Sequence, residues 1–95
     1  MAEMDRPDLY VVARILDCLW SASGPLLRTH IQVASNVNYD IFSKYLEWMR
    51  ERDLVYLENS ADGHVRVGLT RKGREAYGKI VQWIFEVVQG RFPQT

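Results

Sequence analysis

Along the first third of the chain, apolar residues return every three or four positions, at Leu9, Val12, Ala13, Leu16, Leu19 and Trp20. That spacing belongs to a helix with one buried face. Asp5 and Pro7 suit the cap and first turn, so the pattern predicts a helix from Pro7 to about Ser21. Ser21, Ser23, Gly24 and Pro25 then break it, because glycine accepts the left-handed conformation that closes a helix and proline cannot continue one. Leu26 and Leu27 suffice for no more than a short strand.

From Arg28 to Ala34 the chain has Ile31 and Ala34 at helical spacing and reads as a short second helix. Ser35, Asn36, Val37 and Asn38 make a polar break. Asn38 is a good cap for a third helix, and Asp40 in its first turn complements the positive end of the helix dipole. Phe42, Tyr45, Leu46 and Met49 mark the buried face of that helix, which should stop near Arg52.

Beyond Arg52 the period changes to two. Val55 and Leu57 alternate with Tyr56 and Glu58; Val65, Val67 and Leu69 alternate with Arg66 and Gly68. Asn59, Ser60, Ala61, Asp62 and Gly63 supply turn chemistry between the two runs, with Asp-Gly able to take a positive φ at the tip. The prediction is a β-hairpin with Arg66 facing away from its core. Thr70 caps a last helix, where Ala76, Tyr77, Ile80, Val81, Trp83, Ile84, Val87 and Val88 keep helical spacing until Gly90 and Pro93.

The order is helix, short strand, helix, turn, helix, two-stranded hairpin, helix. It predicts an α+β, mainly helical chain with the layout of a winged helix-turn-helix. A single domain is expected over residues 1–95, with a recognition helix at about 38–52, a wing at about 55–69 and a C-terminal helix at 70–90. Ninety-five residues are too few for a catalytic cleft between two domains.

Composition narrows the functional classes. The 47% apolar and 25% charged fractions fit a folded chain and not a disordered one. Twelve basic residues balance twelve acidic ones, so attraction to nucleic acid or to an anionic membrane must come from local patches. A lone cysteine, Cys18, cannot form an intrachain disulfide, the MAEMDRPD start lacks a signal-peptide pattern, and no apolar run approaches a membrane span; a cytoplasmic location is expected.

Charge does separate along the chain. Residues 1–53 carry 6 basic and 8 acidic groups, a balance of −2, and residues 54–95 carry 6 and 4, a balance of +2. Between Ser60 and Ile80, Arg66, Arg71, Lys72, Arg74 and Lys79 face only Asp62 and Glu75. This is either a modest phosphate-holding patch on the wing and the start of the last helix, or a solvated face with neighbours such as Glu75 and Lys79 paired four apart.

Off the buried stripe, the third helix presents Tyr39, Asp40, Ser43, Lys44, Glu47, Arg50 and Glu51, with two basic groups against three acidic. Asp40 either reads a cytosine amino group or simply complements the dipole. Tyr39 either packs on the turn at Val37 or touches a thymine methyl or a sugar. The last helix is apolar around too much of its circumference for one interface: Tyr77, Ile80, Val81, Ile84, Val87 and Val88 form a stripe that Ala76, Trp83 and Phe85 extend. Its own core and the same helix of a second chain would cover it, giving an isologous dimer. Gly73 falls in the opening turn, and Gly78 would permit close backbone approach.

Catalytic chemistry has little to work with. Cys18 lies among apolar positions, His30 and His64 are far apart and read as polar surface groups, and no paired Cys or Cys-His spacing suits zinc. The expectation is a protein without enzymatic activity, metal or cofactor.

The stretch GPLLRTHIQVASNVNYDIFSKYLEWM at 24–49, the hairpin, and LTRKGREAY at 69–77 together resemble the archaeal winged helix-turn-helix family of Sso10a-like DNA-binding proteins and related small transcription regulators, over roughly residues 9–88. The resemblance implies that the helix beginning near Asn38 enters the DNA major groove, that the wing touches the backbone, and that the C-terminal helix pairs two chains. Arg28, Thr29 and Lys44 would then position phosphates, Tyr39, Asp40 and Ser43 would lie nearest base edges, and Arg66, Arg71 and Lys72 would brace the backbone from the wing side. Asp40 stands where such proteins often carry a basic or neutral residue, and Asp53 where they usually carry glycine. The resulting expectation is a homodimeric regulator or chromatin-associated protein that binds double-stranded DNA. The alternative is a winged helix that binds a basic protein partner and no DNA, motivated by the zero net charge and by Asp40, Glu47 and Glu51.

Overall fold

Asp8 opens the first helix in the computed structural model, which describes residues 7–88: its carboxylate accepts the Tyr10 N–H at 2.9 Å, and α1 runs Leu9–Ser21. Pro7, predicted as helical, precedes this cap, and Asp5 lies outside the described residues. The buried stripe is Val11, Val12, Ile15, Leu16 and Leu19. Leu9 and Trp20, predicted on that face, sit on its flank and remain 58% and 45% exposed. At the far end Ala22 returns to extended backbone, its N–H held by the Leu19 carbonyl, so Gly24 is not used as the left-handed stop predicted for it.

A two-residue strand, β1 (Leu26–Leu27), leads directly into α2 (Arg28–Ser35). Ser35 belongs to the helix and not to the polar break after it: it is fully buried, and its hydroxyl donates to the Gln32 carbonyl at 2.9 Å. The break begins at Asn36, left-handed at φ 61°, a conformation asparagine tolerates better than most residues. The Gln32 side-chain amide donates to the Val37 carbonyl at 2.6 Å and fixes the turn. Asn38 then caps α3 (Tyr39–Glu51), accepting the Ile41 N–H at 2.8 Å.

Helix α3 buries Phe42, Tyr45, Leu46 and Met49, as its periodicity predicts. It ends in a Schellman arrangement, with the Asp53 N–H on the Arg50 carbonyl, the Leu54 N–H on the Met49 carbonyl, and Asp53 left-handed at φ 60°. The Tyr45 hydroxyl accepts the Asp8 N–H at 2.8 Å and ties α3 to the start of α1.

The hairpin consists of β2 (Val55–Asn59) and β3 (Val65–Leu69), with Gly63 at φ 87° in the tip. Strand β3 is central in an antiparallel sheet of order β1-β3-β2, with Leu26 opposite Val67 and Val55 opposite Leu69. The predicted alternation fails on β2, where Val55 is buried but Leu57 is 36% exposed: β2 is the edge strand, whereas Val67 opposite Leu57 on the central β3 is fully buried. The Tyr56 ring lies over Gly68, its partner across the ladder, so closely that a side-chain carbon at Gly68 would collide with it.

Thr70 caps α4 (Arg71–Trp83) by accepting the Gly73 N–H at 2.9 Å, and a π-helical turn follows at Ile84–Val88. Gly73 is buried against the Leu54 carbonyl, where no larger residue fits. Gly78, predicted to allow close approach, has nothing within 4 Å of the position a side chain would take. Gly90 and Pro93, the predicted stops, lie outside the described residues. The core joins Ile15 and Leu16 of α1, Ile31 of α2, Phe42 and Met49 of α3, and Val55 and Val67 of the sheet.

Candidate nucleic-acid interface

With Phe42, Tyr45, Leu46 and Met49 turned inward, the helix period sends Tyr39, Asp40, Ser43 and Lys44 outward; all four are exposed, Tyr39 by 50%. Arg28 and Thr29 open α2 immediately after β1, and Leu27 of that strand pairs with Arg66 of β3. The start of α2 therefore lies beside the root of the wing. Thr29 is exposed, whereas Arg28 is half-buried with its Nε shielded from water and without a hydrogen-bond partner among the described residues.

The cations of α3 divide into two sets. Arg50 pairs with Glu47 at 2.7 Å, and Arg52 lies 4.0 Å from Glu51 with its guanidinium 4.1 Å from the centre of the Trp48 ring. Exposed pairs of this kind add at most about 1 kcal/mol to stability, so their main effect is to neutralise the C-terminal half of the helix. Among the described residues Lys44 has no such carboxylate within ion-pair distance, and it is the cation of the outer face.

The wing tip is also self-paired. Arg66 donates from Nε to the Ser60 hydroxyl at 2.8 Å and from Nη2 to Asp62 at 3.0 Å. The other Asp62 oxygen accepts the His64 N–H at 3.0 Å. That backbone bond is the main reason the Asp62 carboxyl is held below the usual carboxylate range, with Arg66 adding to it. Of the two alternatives for this stretch, phosphate-holding patch or paired solvated face, Arg66 shows the paired state, and its partner is Asp62, four residues earlier.

Arg71 and Lys72 are exposed but do not join Arg66 in one patch. Four residues of mostly extended chain lie between Arg66 and Arg71, which sets them about 17 Å apart along the chain. The Thr70 hydroxyl donates to the Asp53 carbonyl at 2.6 Å and the Thr70 N–H to the Leu54 carbonyl at 3.1 Å. Those bonds seat Arg71 and Lys72 beside the last turn of α3, about 18 Å of helix from Tyr39. Glu75 and Lys79 do not approach within ion-pair distance, and Arg74 lies over the Trp20 ring at 5.7 Å.

On the opposite side, α4 packs on the flank of α1. The Tyr77 hydroxyl donates to Asp17 at 2.6 Å, and its ring stacks on Trp20 with centroids 4.9 Å apart. Tyr77 and Ile80 thus meet the chain's own core, although both were expected in a seam between chains. Val81 and Ile84 are half-buried, Val87 is 57% exposed, and the side chain of Val88 is outside what the structure describes. A groove of about 550 Å³ opens between the start of α1 and the end of α4, lined by Leu9, Tyr10, Ala13, Lys79, Ile80, Trp83 and Ile84. Tyr10 and Trp83 on its rim are 65% and 54% exposed.

Cys18 and His30 come together in a way that sequence distance concealed: with Arg14 and Asp17 they line an open groove of about 710 Å³ between α1 and α2. Burial, then the Asp17 charge, pushes the Cys18 thiol up, the opposite of what a nucleophile needs. Among the described residues no group of three His, Cys, Asp or Glu side chains is placed to hold a metal ion, and no helix is long and apolar enough to cross a membrane.

A helix-turn-helix with an exposed second helix, followed by a twisted hairpin and a C-terminal helix, defines a winged helix. Residues 6–87 match the winged helix-turn-helix family, and the chain belongs to it. Its fold is similar to that in a crystal structure of a MarR-family transcriptional regulator from Silicibacter pomeroyi, with a TM-score of 0.68 and 26% identity over 76% of this chain and 49% of that one. The chain thus spans about half the length of that regulator. No curated protein matches it in sequence.

Proposed function

We propose that this chain is a DNA-binding transcription regulator or chromatin-associated protein that lays the N-terminal half of α3 in the major groove. The observation that carries the reading is the outward row of Tyr39, Asp40, Ser43 and Lys44 on the second helix of a winged helix-turn-helix. Lys44 and Arg28 are the phosphate contacts, with Thr29 beside them. Tyr39, Asp40 and Ser43 lie nearest the base edges, and Asp40 weakens general affinity while accepting from a cytosine amino group. Arg66 contributes from the wing, and Arg71 and Lys72 form a separate, peripheral basic point. The likeness of residues 24–49 and 69–77 to Sso10a-like proteins, and the MarR-family regulator's fold, both support this reading.

The same reading includes a homodimer. The apolar groove between the start of α1 and the end of α4 supports pairing through Leu9, Tyr10, Ile80, Trp83 and Ile84, and the proposed seam continues along the last helix to Val81 and Val87. Relative to a seam made by α4 alone, this surface includes α1 and leaves Tyr77 in its contacts with Trp20 and Asp17. Val88 stays with the proposed seam by sequence position.

A second reading, docking onto a protein without binding DNA, draws on Val33 of α2, which is 73% exposed, and on the pairing of Arg50 and Arg52 with α3 carboxylates. A titration of labelled random duplex DNA at several salt concentrations separates the two. The DNA reading expects log affinity to fall against log salt by about 0.9 per phosphate neutralised, with a total slope of several units. Undetectable binding at low salt, combined with binding gained by Asp40→Lys, would move the assignment to a protein partner.

A further inference from the structure

Arg66 occupies an unusual position for a phosphate contact. It stands on β3 with Glu58 opposite it across the ladder and Leu27 on the other side, yet its guanidinium turns back over the hairpin tip. There it meets the Ser60 hydroxyl at 2.8 Å and the Asp62 carboxylate at 3.0 Å. The loop beneath is closed by the Ser60 N–H on the His64 carbonyl at 2.8 Å and the Gly63 N–H on the Ser60 carbonyl at 3.0 Å. Asp62 is itself aimed by the His64 N–H, so the acceptor is positioned by the tip's backbone. Arg66 is partly covered, its side chain 32% exposed, whereas Asp62 is 48% exposed and the more accessible of the two.

We propose that Asp62 is an intramolecular competitor for Arg66, so that the wing is a latch in which a DNA phosphate must displace the Asp62 carboxylate before Arg66 can engage the backbone. The idea rests on the DNA-binding reading and deepens it. Carboxylate and phosphate present the same kind of acceptor to a guanidinium, so exchanging one for the other gains little, and the released Asp62 stays close enough to repel the incoming strand. The wing consequently contributes little to sequence-independent affinity in the native chain, and α3 and the start of α2 carry a larger share of it. Asp62 lies well inside the acid side of neutrality, held there first by the His64 N–H and then by Arg66, so the latch is closed at neutral pH.

Asp62→Asn keeps an acceptor for the His64 N–H and removes the charge that holds Arg66. In the salt-dependent duplex titration it should raise affinity roughly two- to fivefold at low salt, the size of one exposed charged contact, and steepen the salt slope by about 0.9. Both changes should depend on Arg66: on an Arg66→Ala background, Asp62→Asn should give a smaller gain, from lost repulsion alone, and no steeper slope. Ser60→Ala, which loosens the second tether without altering charge, should shift affinity in the same direction by less. Circular dichroism spectra and thermal midpoints, compared across the variants, guard against an unfolded wing. If the native chain binds duplex DNA and Asp62→Asn matches it in affinity and slope, or gains equally with and without Arg66, the latch is overturned while DNA binding stands. If neither the native chain nor any variant binds, the DNA reading falls and the latch with it.

Discussion

Thr70 and Asp53 are joined at 2.6 Å, the hydroxyl of the first donating to the backbone carbonyl of the second while also accepting the Gly73 N–H. One side chain thereby closes the end of α3 and starts α4. Asp53 reaches that position only by taking a left-handed conformation at φ 60°, which costs an L-residue roughly 1 kcal/mol. Because the bond uses its backbone, Asp53→Gly should keep the junction and relieve the strain. The expected gain is about 0.5 kcal/mol after the greater freedom of glycine in the unfolded chain, or a rise of about 2–4 °C in the thermal midpoint. A lower midpoint would show that the aspartate side chain contributes something the strain argument omits.

The same substitution should have opposite signs at two glycines of α4. A methyl at Gly73 would strike the Leu54 carbonyl oxygen, a backbone atom held by its bond from Thr70, so Gly73→Ala should destabilise by about 2 kcal/mol or more. At Gly78 the added carbon meets nothing within 4 Å, and Gly78→Ala should stabilise by up to about 1 kcal/mol through helix propensity alone. Urea denaturation of both variants checks the pair, and equal signs would contradict the packing described at Gly73.

Tyr77 links α4 to α1 and leaves a titration signature. Its hydrogen bond to Asp17, helped by burial and by the Asp17 charge, pushes its phenol from 10.0 up to about 12. The folded state therefore holds this proton more tightly than the unfolded chain does. The stability that follows is complete below about pH 10 and is lost as pH rises through about 12. An ultraviolet titration should show one tyrosine ionising late, and Tyr77→Phe should abolish that step while slightly lowering stability at neutral pH. Persistence of the late step in the variant would assign it to another tyrosine.

If two chains pair through the α1–α4 groove, sedimentation of the native chain at micromolar concentration should give a dimer. Ile84→Glu would place an unpaired charge in that surface and should give monomers, while Val33→Glu, on the exposed face of α2, should leave the dimer intact. A native monomer at that concentration would remove the groove as a pairing surface.

Helix periods and capping chemistry are local properties, and they made much of this fold legible. Phe42, Tyr45, Leu46 and Met49 are the buried face of α3, Asn38 and Thr70 are caps, and Gly63 takes the positive φ of the tip, as their neighbours in sequence require. Local chemistry points to Asp5 and Pro7 for the start of α1, whereas the cap is Asp8; the Tyr45 hydroxyl, distant in sequence, holds the backbone there. Leu57 departs from its pattern because alternation assumes something packed beneath the strand, and β2 lies at the edge of the sheet. At the candidate interface, the exposure of Tyr39, Asp40, Ser43 and Lys44 follows from the α3 stripe. The occupied state of Arg66 and the inward turn of Tyr77 depend on side-chain geometry that periodicity does not contain.

The π turn at Ile84–Val88 gives the last helix a particular kind of tolerance. Such a turn holds one residue more than the α-helical turn it replaces. Helix α4 has, in effect, absorbed an extra residue without breaking, at a point past its contacts with Trp20 and Asp17. Its length is thus negotiable at one place. Removing a single residue there would let the turn close into a regular α-helical one and would leave the winged body upstream as it is.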